Sequence, residues 1–493
     1  MRFTLPALVL FAVVLPACSS VESSTDAGAV AAAAAEPAAP ASSAALALTY
    51  DRPAVVGARV RAAASGLPPR SNVELQWGTV AGGWVIEDYY HFRGRKFSET
   101  TTSLGRFDVD AGGRLDAAFT IPEDYGGVHE ITALVNGTPV AHGGIEVTQT
   151  FDMTPRSGPV GTLVEVKVTG LGWRTMENTW VVNWDNHNAG FVSAVTTRGS
   201  GVARVRAAGP AGDHVVKLLT AWQGQGYLNY EQSPVAHLPR PQFVFRTTPG
   251  RTATPAAYAE PYQRQPVPET DVSVPGAKVA LSATQGPVGT RVVLRGQGFA
   301  PGTAVQLVWG TSEGNRVADG FAPVGKDLTR ATVRGDGTLE MPIAVPEDLG
   351  GLHDVSLRAG DKTLARAHFV IETSVVGITP LSGPAGTPVT IHLKGVGWTE
   401  YDNIYVATYD NAYMGYACGF NSQGDVVINF TASGAPGVHI IDLYPGIYQG
   451  PATEVQQLYR LPQLTYADDH PGNRIPALRF MFEVTPSPAL ATR

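Results

Sequence analysis

The stretch Ser157-Gly158-Pro159-Val160-Gly161-Thr162 decides the fold, because close copies of it recur twice more along the 493-residue chain. The copies are Gly286-Pro287-Val288-Gly289-Thr290 and Ser382-Gly383-Pro384-Ala385-Gly386-Thr387. Glycine and proline fix a turn, and a β-branched run that alternates in period two follows each copy, as in residues 164–168. Such alternation predicts a half-buried strand. Each copy therefore marks the start of a β module.

The repeat has two levels when the chain is compared with itself. The first and third modules share Trp-Gly-Thr, at Trp77 and Trp309, and the segment Pro-Glu-Asp-x-Gly-Gly-x-His, at 122–129 and 346–353. The second and fourth modules share an aromatic and polar pattern with identical spacing, which runs over 173–191 and 398–416. The sequence thus predicts a duplicated pair, A-B followed by A′-B′.

Each module contains short runs typical of strands between turn signals, without a sustained 3.6-residue period. This pattern predicts an all-β chain of four tandem immunoglobulin-like β-sandwiches arranged as a duplicated pair. Short connections within each pair predict fixed angles, whereas the Pro-rich connection between the pairs predicts an extended linker that permits swing. The predicted boundaries are: signal peptide 1–17, Ser/Ala/Pro tether 18–45, module A 46–149, module B 150–246, linker 247–276, module A′ 277–373, module B′ 374–486 and tail 487–493.

The N-terminus carries Arg2, an apolar run over residues 5–14 and then Leu15-Pro16-Ala17-Cys18. The run is too short to span a bilayer and is typical of a secretory signal. Leu-x-Ala-Cys resembles a bacterial lipobox, which implies cleavage before Cys18 and lipidation of that cysteine; ordinary signal cleavage is the alternative. A lipid would hold the protein on a membrane. We expect a lipid-anchored protein of the cell envelope, with the outer membrane or cell surface preferred.

A resemblance to a known family rests on the repeated Gly-Pro-x-Gly-Thr, an alternating strand, Gly-x-Gly-aromatic, and Pro301-Gly302-Thr303 before a strand that ends at Trp309-Gly310. With these features the modules resemble IPT/TIG-type immunoglobulin-like modules of bacterial envelope proteins. The resemblance covers most of modules B, A′ and B′, and more weakly module A, where residues 53–58 replace the opening motif. It implies surface or periplasmic spacers and binding units, without catalytic residues common to the fold.

Charge and motifs narrow the function classes. The formal net charge is −7. The sequence has no cluster of Lys and Arg that would indicate a nucleic-acid partner. The sequence does not contain the Walker loop of a nucleotide site. Four histidines occupy one position of the repeat, each in a different sandwich, so we predict that they cap turns and do not bind metal: His129, His214, His353 and His439.

The Asp-Asn pairs are the first candidate binding site. Each pair ends an aromatic strand, where carboxylate and amide oxygens can bond their own backbone or face outward. Together with an asparagine on the preceding turn and the aromatic residues nearby, the pairs predict a binding site for a sugar. A calcium ion is the one cofactor that this set of residues leaves open. A structural Asx turn is the alternative. The residues are Asp185, Asn186 and Asn178 in module B, and Asp410, Asn411 and Asn403 in module B′.

A second candidate lies in module A, which has eight more residues between Trp77 and Pro122 than module A′ has between Trp309 and Pro346. Aromatic residues there alternate with basic ones, a composition that concentrates binding energy at interfaces. The segment predicts a glycan or an envelope protein as partner; a loop folded back on its own sheet is the alternative. Its aromatic residues include Trp84, Tyr89, Tyr90 and Phe92.

Together these features predict a non-catalytic, lipid-anchored envelope protein that acts as a binding or structural spacer module. A polysaccharide-binding surface protein is the alternative within the same class. Two further classes remain open. One is a hydrolase of a cell-wall or extracellular polymer, which needs two converging acids that the sequence does not identify. The other is a subunit of a surface assembly.

Overall fold

The computed structural model describes residues 44–222, 224–315, 320–419, 423–447, 461–472 and 475–487. The predicted signal peptide, Cys18, nearly all of the tether and most of the tail lie outside the described residues. Within them the chain is nearly all-β, with a 3-10 turn at Tyr230–Gln232 and a one-turn helix, α1, at Tyr466–Asp469.

The strands of the first pair follow the order of the repeat. Module A contains β1 (Ala44–Ala45), β2 (Ala47–Thr49), β3 (Arg59–Ala64), β4 (Asn72–Glu87), β5 (His91–Asp108), β6 (Leu115–Thr120), β7 (Gly127–Val135) and β8 (Thr138–Val147). Module B contains β9 (Thr150–Thr154), β10 (Ser157–Val160), β11 (Leu163–Thr169), β12 (Trp180–Trp184), β13 (His187–Val192), β14 (Gly201–Arg206), β15 (Gly212–Trp222), β16 (Gln225–Gly226) and β17 (Gln242–Arg251).

The second pair repeats this order after two short strands, β18 (Ala257–Ala259) and β19 (Asp271–Val272). Module A′ contains β20 (Lys278–Leu281), β21 (Gln285–Pro287), β22 (Arg291–Gln297), β23 (Ala304–Asn315), β24 (Gly320–Thr332), β25 (Leu339–Ala344), β26 (Gly351–Ala359) and β27 (Lys362–Glu372). Module B′ contains β28 (Ser374–Thr379), β29 (Ser382–Pro384), β30 (Pro388–Lys394), β31 (Ile404–Tyr409), β32 (Ala412–Cys418), β33 (Val426–Thr431), β34 (Gly437–Gly446) and β35 (Leu478–Thr485).

Each module packs a three-stranded sheet against a larger one. The three-stranded sheets are β2-β3-β6, β9-β11-β14, β20-β22-β25 and β28-β30-β33. The larger sheets have the orders β1-β8-β7-β4-β5, β10-β17-β15-β12-β13, β19-β27-β26-β23-β24 and β18-β35-β34-β31-β32. Alternate residues of the facing strands, such as Val60, Leu75 and Trp77 in module A, fill the space between the sheets. The predicted fold class, four immunoglobulin-like sandwiches in a duplicated pair, is confirmed.

The opening motif forms a turn between two sheets. Gly161 has φ +88°, a left-handed conformation that a type II turn requires at its third residue and that glycine adopts without steric cost. The Thr162 amide, at 3.1 Å, and its hydroxyl, at 2.7 Å, donate to the Pro159 carbonyl. The turn leads from β10, which runs parallel to β17 in the larger sheet, into β11 of the smaller one. Thr290 and Thr387 close equivalent turns.

The two glycines of Pro-Glu-Asp-x-Gly-Gly-x-His lie at the junction within each pair. The Gly126 amide donates to the Leu171 carbonyl at 3.0 Å, and the Gly350 amide donates to the Val396 carbonyl at 2.9 Å. A Cβ atom on Gly126 would lie 1.9 Å from the Gly170 carbonyl oxygen, and any side chain would therefore separate the two modules. Modules A and A′ are thus joined to modules B and B′ by the same backbone contact.

The prediction that residues 247–276 form a linker that permits swing between the two pairs is wrong. Strand β17 continues to Arg251, β18 pairs with β35 of module B′, and β19 pairs with β27 of module A′. The Glu260 amide also donates to the Ala477 carbonyl at 3.1 Å. A Pro-rich segment is already extended, and an edge strand needs only some of its amides for the sheet. The segment therefore completes sheet edges and does not form a free hinge.

Candidate functional site

Modules B and B′ pack against each other through an apolar patch. Val160 and Ala208 of module B contact Ile440 and Met481 of module B′. All four side chains are less than a tenth exposed. Ile440 and Met481 lie on the outer face of the larger sheet of B′, which would otherwise face water. The chain therefore folds back so that its two B-type modules lie side by side.

A buried ion-pair network crosses this contact. Arg206, the last residue of β14, reaches into module B′, and its guanidinium lies 2.5 Å from Asp442 Oδ1. Arg206 Nη2 also donates to the Phe480 carbonyl at 2.6 Å. Arg479 binds the other oxygen of Asp442 at 3.1 Å and Glu260 at 2.8 Å. Because buried charges need partners, the network fixes which surface of B meets which surface of B′.

The hydroxyl groups of the tyrosines around this network are protonated. Burial raises the pKa of Tyr444 and raises the pKa of Tyr466 well above its usual range. The Tyr466 hydroxyl donates to Glu260 and accepts from Arg479 Nη2 at 2.9 Å. The Arg479 guanidinium lies 4.7 Å from the centroid of the Tyr444 ring, a geometry that favours a cation–π contact.

A second set of contacts comes from residues 461–472. The Phe191 amide donates to the Pro462 carbonyl and the Leu464 amide donates to the Phe191 carbonyl, both at 2.8 Å. Asp469 accepts from the amides of Val195 at 2.8 Å and Thr196 at 2.7 Å. Burial raises the pKa of Asp469, while these backbone hydrogen bonds oppose the rise. The segment thus extends module B with strand-like backbone bonds.

The long β4–β5 hairpin of module A docks on both B-type modules. Phe92 is fully buried in a cluster with Val181 and Phe191 of module B and Tyr401 of module B′. Its amide donates to Glu400 Oε2 at 2.7 Å. The hairpin is therefore not a loop folded on its own sheet, which was the alternative. Its central aromatic residue, Phe92, serves a contact within the chain, whereas binding of a partner by the rest of the hairpin stays a prediction.

The other three predicted aromatic residues of the hairpin have partners in module B′ or A′. The Trp84 indole donates to the Asp469 carbonyl at 2.7 Å. The Tyr401 hydroxyl donates to the Tyr89 carbonyl at 2.5 Å. Tyr90 lies against two aromatic rings, with its centroid 5.4 Å from that of Trp398 and 6.4 Å from that of Phe321. Of the four predicted residues, Tyr89 is the most exposed, at 45%.

The Asp-Asn pairs form the tight turns of the β12–β13 and β31–β32 hairpins. All four residues have positive φ, between +48° and +67°, which is the backbone of a type I′ turn and favours Asn and Asp. The Asp185 carboxylate accepts from His214 Nδ1 at 2.5 Å and from the Val215 amide at 2.9 Å. Asp410 makes the same bonds to His439 and Ile440. The side chains of the two aspartates therefore support the turn; ligand binding by the exposed Asn186 stays a prediction.

The structure does not bring Asn178 and Asn403 to these turns. They precede β12 and β31, whereas the Asp-Asn pairs follow those strands, and a strand of five or six residues spans about 17–20 Å. Asn178 instead accepts from Arg95 of the hairpin at 2.8 Å. Asn403 is fully buried. The aromatic residues expected near the Asp-Asn pairs do not face a ligand either, because Trp180, Tyr405 and Trp184 lie in the sandwich cores.

The four histidines each bridge a turn, as predicted. In module A the two ring nitrogens of His129 lie 2.8 Å from the carbonyls of Gly78 and Tyr125. In module B′ the ring of His439 lies between Asp410 and the Ala435 carbonyl. Burial lowers the pKa of His129, whereas the hydrogen bond to Asp410 raises the pKa of His439. One repeat position therefore holds two electrostatically different histidines.

Across the described ranges, no three His, Cys, Asp or Glu side chains are grouped closely enough to hold a metal ion. No helix within the described ranges is long and apolar enough to cross a membrane. Cys418 is a partly buried cysteine at the end of β32.

Sequence reasoning missed the charged network between B and B′. Its signal is a charge inside an apolar run, as at Asp442 in Ile440-Ile441-Asp442-Leu443-Tyr444 and at Arg479 in Leu478-Arg479-Phe480. Such a residue on a strand buried on both faces needs a partner. The sequence does not identify that partner, because Arg206 lies more than 200 residues away.

No family model matches the chain. No curated protein matches it in sequence either. Solved structures with similar parts include a mutant of Salmonella alpha-2-macroglobulin, at 10% identity and TM-score 0.17, over 90% of this chain and 31% of that one. A tetra-tandem repeat from the extending region of a large adhesion protein is similar at 11% identity and TM-score 0.19, over 83% of this chain and 96% of that one. An ICAM-5 ectodomain fragment is similar at 11% identity and TM-score 0.18, over 82% and 95%. The chain spans about a third of the first protein. Because these scores are low, the fold assignment rests on the strand pairings.

Proposed function

We propose that the chain is a non-catalytic, lipid-anchored cell-envelope protein that acts as a binding module. The observation that supports this proposal best is the arrangement of the modules. The B–B′ contact and the docked hairpin hold modules A, B and B′ in fixed relative positions, and the Gly350 backbone bond joins A′ to B′. A spacer needs modules in line, whereas a binding protein benefits from surfaces fixed before the ligand arrives, because less conformational entropy is then lost.

The buried carboxylates favour a non-catalytic protein over a polymer hydrolase. A catalytic acid is recognised by a perturbed pKa at a cleft, and the pKa of Asp469 is raised by burial. Both of its oxygens accept backbone amides of module B. Asp442 is likewise enclosed between two arginines. These acids hold modules together and do not face a space where a substrate would lie.

The envelope location rests on the N-terminal sequence and on the IPT/TIG resemblance of the modules. A short apolar run followed by Leu-Pro-Ala-Cys18 favours export and lipidation. The test is cell fractionation of the full chain and of Cys18→Ser. We expect the unchanged chain in the membrane fraction and the variant in the soluble fraction. The same distribution for both would contradict lipid anchoring.

Binding and catalysis are separated by a sedimentation experiment. The soluble Cys18→Ser protein is incubated with isolated cell envelopes, and we expect saturable co-sedimentation without release of soluble carbohydrate or peptide. Heat-denatured protein is the control for non-specific adsorption. Time-dependent release of soluble fragments would support the hydrolase instead. Co-sedimentation only after self-association, measured by light scattering, would support the surface assembly.

A further inference from the structure

A groove of about 470 Å³ lies on the outer face of the larger sheet of module A′. Its floor is formed by β23, β24 and β26, and Tyr89 at the tip of the module A hairpin lies at one side. Gly310 and Gly325 face each other in register across β23 and β24, so no side chain fills the floor there. The volume is in the range of small-molecule sites.

Strand alternation decides which side chains face the groove. His353, Val355 and Leu357 of β26 point into the sandwich core, so Asp354, Ser356 and Arg358 point outward. Arg366 of β27 lies directly opposite Ser356. The groove thus presents two guanidinium groups, one carboxylate and a hydroxyl that is only 5% exposed.

The charge of the groove is opposite in sign to that of the chain. Arg358 and Arg366 outnumber Asp354, which lies 3.4 Å from Arg366 Nε and 3.0 Å from His368 Nδ1. The protein as a whole has a formal net charge of −7. Because the planar guanidinium matches a carboxylate in two-bond geometry, a local excess of arginine favours an anionic ligand.

Tyr89 adds an apolar face to this charged floor. Its φ is +58°, and its carbonyl accepts a hydrogen bond from the Tyr401 hydroxyl of module B′ at 2.5 Å. The ring is also 6.5 Å from the Tyr401 ring, in edge geometry. The ring is 45% exposed and lines the groove. Three modules therefore combine to position one aromatic side chain on a groove that two arginines also line.

Module A provides an internal comparison for this groove. Its equivalent sheet face, aligned through Trp77 and Trp309, carries Leu134 in place of Arg358 and His142 in place of Arg366. Module A′ alone has both arginines, and module A alone has the inserted hairpin that carries Tyr89. Two differences between the duplicated modules thus meet in one place.

We propose that this groove binds an acidic saccharide, with its carboxylate on Arg358 and Arg366 and a sugar ring face against Tyr89. The proposal deepens the binding function proposed above and rests on it. Sugar hydroxyls match the Ser356 hydroxyl, and the absence of side chains at Gly310 and Gly325 leaves room for a ring. A uronic acid joins such hydroxyls to a carboxylate in one small ring.

The test is calorimetric titration of the detergent-extracted full chain with trimers of galacturonic, glucuronic and mannuronic acid. The trimers of the corresponding neutral hexoses are titrated in parallel. We expect at least one acidic trimer to bind at least tenfold more tightly than its neutral counterpart, with an affinity that falls as salt is added. Equal affinity for acidic and neutral trimers would overturn the proposal. So would tighter binding of a tri-glutamate peptide.

Variants locate the binding. Arg358→Gln and Tyr89→Ala should each weaken binding about tenfold or more, whereas Tyr89→Phe should retain most of it. Arg295→Gln, on the opposite sheet of module A′, is the matched control and should leave affinity unchanged. Arg358 is exposed, so its variant is expected to fold normally; undiminished binding by it would contradict the proposal.

Failure of this proposal is distinguishable from failure of the proposed function. If no acidic trimer binds, the groove is not a saccharide site of this kind. Fractionation of Cys18→Ser and envelope co-sedimentation would still report separately on anchoring and binding.

Discussion

Modules B and B′ have the same fold and the same turn residues, yet the part of the larger sheet around Lys217 is open in B, whereas the equivalent part around Asp442 is covered in B′. Lys217 and Asp442 occupy equivalent positions three residues after His214 and His439. Lys217 is partly exposed, whereas Asp442 is fully buried. Val244, at 48% exposure, corresponds to Met481, at 2%. A repeat therefore defines the sandwich, and differences at a few outward positions decide what covers it.

The contact between them is heterologous, because it uses different surfaces of the two modules. Arg206 of module B enters the covered face of B′, while Thr431 occupies the position of Arg206 in module B′. A symmetric pair would use the same surface patch of both modules, so that each contact of one residue with another would occur twice, once in each direction. The charged partners thus differ from one copy to the next and give the chain one way to fold back.

The largest expected effect comes from Asp442→Ala. The change leaves Arg206 and Arg479 buried without their shared carboxylate, which should lower the free energy of unfolding by about 3–5 kcal/mol. Lys217→Ala is the matched control and should change it by less than about 0.5 kcal/mol. The measurement is guanidinium-induced unfolding. Equal effects of the two substitutions would contradict the assigned asymmetry.

A smaller effect is expected at the turn asparagines. Asn411 Nδ2 donates to the Arg206 carbonyl at 2.8 Å, whereas Asn186 is exposed. Their φ values, +62° and +67°, are nearly the same, so the backbone strain of alanine cancels in a comparison. Asn411→Ala should therefore destabilise by about 1 kcal/mol more than Asn186→Ala. Thermal unfolding measures the difference. Identical shifts of the melting temperature in the two variants would contradict a contribution of this bond to the B–B′ contact.

The smallest expected effect depends on pH. The hydrogen bond to Asp410 raises the pKa of His439, against an opposing effect of burial. Because the folded pKa exceeds the unfolded value of about 6.5, this contribution is complete below that value and is lost as pH rises through the folded pKa. Wild type should therefore lose more stability than His439→Gln between pH 5.5 and 8.5.

The control for this pH effect is Asp410→Asn, which removes the carboxylate and should flatten the same part of the profile. Melting temperatures at half-unit intervals of pH provide the comparison. A constant difference between wild type and His439→Gln over the whole range would contradict a raised histidine pKa.

Several elements were predictable because their causes are local. Gly-Pro-x-Gly-Thr determines its turn through the positive φ of Gly161 and the Thr162 hydroxyl. Asp185-Asn186 determines a two-residue hairpin turn for the same kind of reason. The prediction that the histidines cap turns also followed from position in the repeat. Each of these depends on residues that are close in sequence.

The errors arose where distant segments meet. Residues 247–276 have the composition of a linker, and composition does not show that an open sheet edge lies beside them. The hairpin at 80–97 has the composition of an interface, and it does form one, but with modules B and B′. Asn178 is near Asp185 in sequence, whereas a strand places them at opposite ends of the sheet.

The sequence by itself determined the four sandwiches, their pairing as A-B and A′-B′, and the chemistry of each turn, because periodicity and glycine act over a few residues. Only the tertiary structure decided that B lies on B′, that the hairpin of A is buried between them, and that Tyr89 lines the same groove as Arg358 and Arg366. Such contacts depend on the complementarity of whole surfaces, to which residues far apart in the chain contribute single side chains.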